Sequence, residues 1–391
     1  MAKKEKNEFS AARKKRRFKI AMLRTKKFIG AVLALVIVCV AVWLFVKEDV
    51  AGIIGDRIAA GSASGASMPV EIAGTAVKET FTIGDNVGVL TDGNVALYAK
   101  NGKQLLSYTH GMTDPIVKAA GRRFLLYDRG GTKLVVRMRD KVLFEKEFDY
   151  KIISANISSD GWITVVTAAQ RYASQLHVWN SAYDEEIFTW SSSGEYIICS
   201  AADSGSKTVA AATLTANASG QMVTTVHIFT TEAAMELGKK DFSGEAAVSL
   251  EYNSSGNVKI ICDSMAAVID RSGNVLGRFD FDRKLISCVN AHGTSGMALV
   301  FDRYTEARAT DVTFIGSRGE QVKTVSVSGK FLCANGNSSH AAVYCDGTAT
   351  VFDYSGNKTA ELTSEQDALL ILLTKESVFA VTRDEICEVK R

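Results

Sequence analysis

Apolar residues beyond residue 80 occur in short runs of four to seven, each followed by a turn rich in Gly, Asp, Asn or Ser. Residues 87–90 precede Thr91-Asp92-Gly93-Asn94, and residues 124–127 precede Asp128-Arg129-Gly130-Gly131. Short apolar runs bounded by such turns are typical of β-strands. The series continues at residues 163–167, 258–262, 298–301 and 341–344. Because no crossover helix is indicated between these runs, the pattern predicts an antiparallel, all-β fold.

One hairpin pattern recurs along these strands, with a Gly five residues after the first apolar residue. It occurs at residues 97–103, 268–274, 314–320 and 351–357. A tight hairpin needs positive φ at such a position, and Gly adopts it without strain. Alignment on these hairpins places repeat starts near residues 80, 115, 152, 196, 246, 286, 331 and 368. Repeats whose starts have this spacing, and which contain four strands each, are typical of a β-propeller.

The number of blades depends on how the ring closes. The last repeat has room for three strands, and residues 70–78 precede the first full repeat without a blade of their own. An N-terminal strand that completes the C-terminal blade would close the ring, which favours eight blades. Seven blades are the alternative if residues 364–379 form a helix, because their apolar run fits a helix or a strand.

A different pattern precedes the repeats, since residues 28–46 contain no charged side chain. As a helix they span about 28 Å, close to the hydrocarbon thickness of a bilayer. Residues 1–27 contain twelve Lys or Arg and two Glu, and short basic flanks stay in the cytoplasm. The sequence therefore predicts a basic cytoplasmic tail (1–27), a single transmembrane helix (28–46), a flexible spacer (47–68) and an extracytoplasmic propeller (69–391).

The formal net charge of +3 does not indicate a nucleic-acid partner, because the positive charge is concentrated in the tail beside the membrane. The tail serves either topology alone or a contact with anionic lipid headgroups or a cytoplasmic partner. The expected partners are thus the lipid bilayer and an envelope protein or cell-wall component. The sequence leaves the oligomeric state open.

Some segments resemble known propellers. Leu176-His177-Val178-Trp179-Asn180 resembles the blade-closing segment of WD40 repeats, and the four Gly hairpins are similar to those of WD40-like and quinoprotein-like propellers. The Gly-His pair of WD40 repeats does not recur. The whole layout is similar to a clostridial family of single-pass membrane propellers, domain of unknown function 5711. This resemblance implies a Gram-positive envelope protein and supplies no activity.

The sequence shows no catalytic motif. It contains no Gly-x-Ser-x-Gly elbow or phosphate-binding loop, and its five histidines fall in different repeats, without the spacing of metal ligands. We therefore expect no enzymatic activity, cofactor or metal. Six cysteines lie within strand runs, where buried thiols or disulfides are both compatible with the pattern. The histidines are His110, His177, His227, His292 and His340.

Three functions fit this layout: a binding scaffold, which we favour, a ligand sensor that signals through the single helix, and an enzyme that uses the propeller channel. The second-to-third loops of a propeller share one face with its fourth-to-first connections. Three of these loops are extended, at residues 168–174, 214–221 and 302–310. Arg and Tyr dominate interface hot spots, and function concentrates in loops. The predicted partner-binding residues are Arg171, Tyr172, Arg303, Tyr304 and Arg308.

Overall fold

The computed structural model describes residues 68–389 apart from 73–75, 283, 285, 291–295, 304–308, 365–367 and 376, and also Val36, Val38 and Cys39. The chain divides into two units, Met1–Ser64 and Gly65–Arg391. The predicted transmembrane segment lies outside the described residues, except for Val36, Val38 and Cys39, which are helical. Within the described positions, no helix has the length and hydrophobicity that crossing a membrane requires.

Four-stranded antiparallel sheets form the blades, and all but the last consist of four consecutive strands. A short strand, β1 (Val70–Glu71), precedes the first full blade. Blade 1 contains β2 (Val77–Ile83), β3 (Asn86–Thr91), β4 (Asn94–Tyr98) and β5 (Gln104–Thr109). Blade 2 contains β6 (Pro115–Ala120), β7 (Arg123–Asp128), β8 (Lys133–Arg137) and β9 (Val142–Glu147). Blade 3 contains β10 (Ile152–Ile157), β11 (Ile163–Thr167), β12 (Ser174–Trp179) and β13 (Glu186–Ser192).

The second half of the ring repeats this order. Blade 4 contains β14 (Tyr196–Asp203), β15 (Thr208–Ala216), β16 (Met222–Thr230) and β17 (Met235–Ser243). Blade 5 contains β18 (Ala247–Tyr252), β19 (Val258–Cys262), β20 (Met265–Ile269) and β21 (Val275–Asp280). Blade 6 contains β22 (Cys288–Asn290), β23 (Gly296–Arg303), β24 (Ala309–Gly316) and β25 (Gln321–Ser328). Blade 7 contains β26 (Phe331–Gly336), β27 (His340–Cys345), β28 (Thr348–Asp353) and β29 (Lys358–Thr363). Blade 8 contains β30 (Leu370–Leu373), β31 (Val378–Val381) and β32 (Glu385–Val389).

The N-terminal strand closes the ring, as predicted. Val70 pairs with Ile386 and Glu71 pairs with Glu385, so β1 is the fourth strand of blade 8. The closing strand is shorter than the predicted segment, because Val77 opens β2 of blade 1 instead. Residues 370–373 form strand β30, so the prediction of eight blades is confirmed and the seven-blade alternative is wrong.

The core consists of eight apolar clusters, one between each pair of neighbouring blades. Alternate side chains of a strand point to opposite faces of its sheet, so the second and third strands contribute to two clusters each. In β3 every residue is buried: Leu90 joins the cluster shared with blade 2, and Val89 joins the cluster shared with blade 8. Sheets covered on both faces explain why these strands appear in the sequence as continuous apolar runs.

The predicted hairpin glycines have positive φ, between 77° and 87°, at Gly102, Gly273, Gly319 and Gly356. Some glycines also allow neighbouring blades to approach closely. A Cβ on Gly273 would lie 2.5 Å from the carbonyl oxygen of Lys239 in blade 4, and one on Gly238 would lie 2.3 Å from the carbonyl carbon of Ser272. Only the absence of a side chain permits this contact between blades 4 and 5.

Candidate interaction face

The connectivity gives the propeller two faces. The connection face carries the second-to-third loops, such as residues 129–132, and the fourth-to-first connections, such as residues 148–151. The hairpin face carries the first-to-second loops, such as residues 121–122, and the third-to-fourth loops, such as residues 99–103. Blades 1 to 7 share this arrangement because they have the same strand order, whereas in blade 8 the third strand, β32, and the fourth, β1, are not joined by a loop.

Carboxylates in or directly before the second-to-third loops fix the connections that enter the same blade. Each accepts a hydrogen bond from a backbone N–H just before or at the start of the first strand: Asp114 N to Asp128 at 2.8 Å, Ala246 N to Asp263 at 2.9 Å and Lys330 N to Asp346 at 3.0 Å. A carboxylate is a strong acceptor for a backbone N–H that lacks a ladder partner. These Asp residues therefore stabilise the connection face.

Large exposed apolar and aromatic side chains are concentrated on the connection face. Five of those on this face belong to connections or to the starts of first strands, and two lie in or directly after second-to-third loops. The remaining exposed ones among the described propeller residues lie at the start of fourth strands, on the outer rim: Val142, Met235, Leu237, Val275 and Val322. The connection-face set is Tyr150, Tyr172, Tyr196, Met222, Val248, Leu332 and Leu369.

Three of these side chains are tyrosines from one sector of the ring, at blades 3 and 4. Tyr172 is 48% exposed and Tyr196 is 63% exposed. The loop that carries Tyr172 is held between the two connections that flank it: Ala168 N donates to Lys151 O, next to Tyr150, and Ala173 N donates to Ser192 O, both at 2.9 Å. Ile197 N, next to Tyr196, donates to the Ser174 hydroxyl at 2.8 Å. Backbone bonds thus hold three exposed aromatic rings on one stretch of surface.

A polar network around a buried histidine lies next to this sector. His227 is 8% exposed, its Nδ1 is 2.8 Å from Glu236 and its Nε2 is 3.0 Å from Glu195. The hydroxyl of Thr213 donates to Glu195 at 2.5 Å, and the ring of Trp190 in blade 3 packs on the imidazole at 5.0 Å. Since Glu195 directly precedes Tyr196, the network anchors the connection from blade 3 to blade 4.

The same network shifts the titration of its carboxylate. Burial by itself raises the pKa of Glu195, but the hydrogen bonds from Thr213 and His227 outweigh that effect and lower the pKa below the ordinary 4.5. Glu186 in blade 3 behaves alike: burial raises its pKa, and the bonds from His177 and Thr189 lower it overall. Both glutamates are therefore ionised acceptors at neutral pH.

The WD40-like segment has a packing role. Trp179 belongs to the apolar cluster between blades 2 and 3, and His177 Nδ1 lies 2.6 Å from Glu186. His110 also acts structurally, since its ring bonds to Thr91 O and Met112 N.

In the part of the propeller that the structure describes, no group of three His, Cys, Asp or Glu side chains is arranged to hold a metal ion.

Two of the predicted partner-binding residues, Arg171 and Tyr172, lie exposed in the β11–β12 loop on the connection face. Arg303 is the last residue of β23 in blade 6, and Tyr304 and Arg308 lie outside the described residues. Blades 3 and 6 are three positions apart in a ring of eight. Arg171 therefore lies on a blade three positions from the one in which strand β23 ends at Arg303. Hydrogen bonds instead join the loop of Arg171 and Tyr172 to the segments next to Tyr150 and Tyr196.

Sequence reasoning missed Tyr150 and Tyr196, since each is a single Tyr at the edge of an apolar run. It also treated His227 as a scattered strand histidine. The contact of His227 with Glu236 could have been predicted in part, because Glu236 lies on the paired strand β17. Glu195 comes from another connection, thirty-two positions away, and no local pattern links it to the histidine.

Similar propellers occur among solved structures. The C-terminal WD40 domain of Sif2 has a TM-score of 0.57 at 13% identity, over 84% of this chain and 99% of that chain. A structure of the eukaryotic initiation factor has a TM-score of 0.52 at 12% identity, over 85% and 93%. BamB from Moraxella catarrhalis has a TM-score of 0.47 at 11% identity, over 82% and 99%. At such low identity, the first two show the propeller fold alone.

A search of curated proteins finds no significant match. A family profile described as a family of unknown function, DUF5711, matches residues 67–390. This range covers the propeller and confirms the family that the resemblance indicated. The chain therefore belongs to the DUF5711 family.

Proposed function

We propose that the chain is a single-pass membrane protein of a clostridial envelope, and that its extracytoplasmic propeller is a scaffold for an envelope protein or a cell-wall component. The apolar segment 28–46 and the basic residues of the tail support the anchor and its orientation. The connection face supplies the binding surface. In this proposal the protein is not an enzyme and needs no cofactor.

The exposed tyrosine sector carries the proposal. Tyr150, Tyr172 and Tyr196 offer large, rigid aromatic area with hydrogen-bonding hydroxyls, which suits a protein interface. Arg171 adds a charged donor beside Tyr172. Backbone hydrogen bonds fix the loop of residues 168–173, so little conformational entropy is lost when a partner binds.

The buried thiols favour a binding role over nucleophilic chemistry. Burial raises the pKa of Cys199 to about 12 and also raises the pKa of Cys262. A thiol is nucleophilic as its thiolate, so these two side chains act as small apolar groups of the cluster between blades 4 and 5.

Photo-crosslinking in cells tests the binding surface. A benzophenone side chain at Tyr172 or Tyr196 should capture one partner, which mass spectrometry identifies. Met235 and Val275 are matched controls, because both are exposed apolar positions on the outer rim. Capture of the same species at equal yield from the rim would rule out the connection face as the binding surface.

Thiol labelling tests the orientation separately. In intact cells a membrane-impermeant maleimide should modify a Ser64→Cys variant and leave a Lys6→Cys variant unmodified, relative to the background of the unaltered chain. The reverse pattern would place the propeller in the cytoplasm and overturn the envelope role.

A further inference from the structure

The tyrosine sector also carries positive charge. Two cations lie among Tyr150, Tyr172 and Tyr196, namely Lys151 in the connection to blade 3 and Arg171 in the loop between β11 and β12. Both are exposed, and within the described residues neither side chain forms an ion pair or a hydrogen bond. The charges of both cations are therefore available to a ligand.

Few carboxylates accompany these cations. Asp149 is the one acidic residue in the connection that carries Lys151 and in the long loop that carries Arg171. The carboxylate of the following connection, Glu195, is already engaged by Thr213 and His227. Two exposed cations thus outnumber one exposed carboxylate, so the balance of charge at the tyrosine sector is positive.

The second-to-third loops of blades 3 and 4 differ from their counterparts, because residues 168–173 and 217–221 contain no acidic residue. The described loops of blades 1, 2, 5, 7 and 8 each contain an Asp or directly follow one: Asp92, Asp128, Asp263, Asp346 and Asp384. An anionic ligand that approaches the connection face is therefore repelled least at blades 3 and 4, where Lys151 and Arg171 attract it.

The fold spreads these side chains along the edge of one blade. Tyr150 and Lys151 directly precede the first strand of blade 3, and Tyr196 begins the first strand of blade 4. Three spacings of about 4.8 Å separate the first strand of a sheet from the fourth, so this edge is roughly 14 Å wide. A fully extended peptide covers such a distance with about four residues.

We infer that the tyrosine sector binds an extended acidic segment of a partner protein. This inference rests on the proposed scaffold function and names the chemistry of the partner. Arg171 forms paired hydrogen bonds with one Asp or Glu of the segment, and Lys151 attracts a second carboxylate as a point charge. The tyrosine rings cover apolar parts of the segment, while their hydroxyls bond to its backbone.

The side chains of this surface favour a protein over a glycan. Arg and Tyr are the residues that contribute most to protein interfaces. The adjacent loop of blade 4, residues 217–221, reads Asn-Ala-Ser-Gly-Gln, and loops of Tyr, Ser, Gly and Asn are typical of surfaces that bind proteins. A neutral glycan would make no use of Lys151 and Arg171.

Peptide selection against the detergent-solubilised full chain tests this assignment. The probe is a phage-displayed library of random dodecapeptides. Asp and Glu should be enriched about threefold over the starting library among the peptides that bind, because the free cations select them. A selected peptide should bind R171A roughly tenfold more weakly, since one charge-assisted pair is lost. Added salt should weaken its binding to the wild type.

Charge reversal supplies matched variants. R171E should enrich Lys and Arg in place of acidic residues, whereas R318E, which reverses an exposed arginine on the hairpin face of blade 6, should keep the acidic preference. If R171E fails a thermal unfolding check, R171Q replaces it and should lose the preference. An acidic preference that R171E retains would overturn the inference. Loss of the preference in both reversals would show that net charge alone acts, and it would also overturn the assignment to Arg171.

The remaining outcomes separate this inference from the proposed function. Wall glycan strands freed of their stem peptides are a second probe. If these strands bind in a manner that R171E abolishes and the peptides show no acidic preference, the surface takes a glycan and the protein segment is wrong. Capture of a partner by the crosslinker at Tyr172, without an acidic preference among the peptides, would overturn this inference alone. An acidic preference that depends on Arg171, without capture in cells, would support this inference and contradict the envelope scaffold.

Discussion

Both faces of the propeller carry turns rich in Gly, Asp and Asn, but they bond differently. On the hairpin face a turn bonds to itself: the carboxylate of Asp270 accepts from Ser272 N at 2.8 Å and from Asn274 N at 2.9 Å. On the connection face a loop bonds to another segment, as Asp263 does to Ala246 N. The hairpin turns are therefore fixed by local bonds, to which close packing between neighbouring blades is added, as at Gly273 and Lys239. The connection face depends on contacts between distant residues, and it leaves aromatic rings exposed.

The largest expected effect comes from adding one methyl group on the hairpin face. G273A should lower the free energy of unfolding by about 3 kcal/mol, because it combines a strained positive φ with overlap at Lys239. G93A, on the connection face, should change it by less than about 0.5 kcal/mol, since a Cβ there meets nothing within 4 Å. Urea unfolding of the full chain measures both. Equal losses would contradict the contrast between the faces.

A second test removes a carboxylate that caps the connection face. D263A should cost about 1–2 kcal/mol, because Ala246 N loses a charge-assisted acceptor. D263N retains an acceptor oxygen and should lose less than half as much. D92A is the comparison for an exposed ion pair, since Asp92 lies 3.2 Å from Lys78, and it should cost at most about 1 kcal/mol. The prediction fails if D263A unfolds at the same urea concentration as the wild type.

A smaller effect concerns acid. Because the folded pKa of Glu195 lies below 4.5, its carboxylate stabilises the fold above that pH, and this contribution is lost as the pH falls through the lowered folded value. E195Q lacks this contribution, so its stability should fall less steeply than that of the wild type between pH 5 and 3. The difference should stay below about 1 kcal/mol, because Glu195 is a third exposed. If the stability of E195Q and that of the wild type fall in parallel with pH, the ionised Glu195 does not contribute to the stability of the fold.

The smallest effect is expected for Tyr196. Y196S should change the free energy of unfolding by less than about 0.5 kcal/mol, because most of the ring is already in solvent. It should nevertheless reduce partner capture by a crosslinker at Tyr172. A large loss of stability would identify Tyr196 as a packing residue and weaken the interaction face.

Local signals explain what the sequence could predict. The repeat starts predicted near 115, 152, 196 and 331 coincide with the first residues of β6, β10, β14 and β26, since apolar runs and turn residues mark strand ends. The hairpin glycines could also be predicted from the sequence, because positive φ restricts the residue type at a single position. The closing strand followed from the need to complete a ring.

The candidate site was less accessible to sequence reasoning. Tyr150, Tyr172 and Tyr196 are brought together by backbone bonds between a loop and its two neighbouring connections, and no periodicity encodes such a contact. Extended loops correctly indicated Arg171 and Tyr172 as exposed. Loop length carried no information on the position of a blade in the ring, so it could not show that Arg171 and Arg303 belong to blades three positions apart.

Ring closure sets an order of events during synthesis. Val70 and Ile386 are among the first and last propeller residues to be made, yet they pair directly. Seven blades can form from consecutive strands as the chain grows, but the eighth must wait for β32 while β1 stays unpaired. Such long-range pairing is slow and leaves strand edges open to other chains. A chain truncated before residue 385 would lack both residues with which β1 pairs. Closure of the ring therefore requires the last strand, β32.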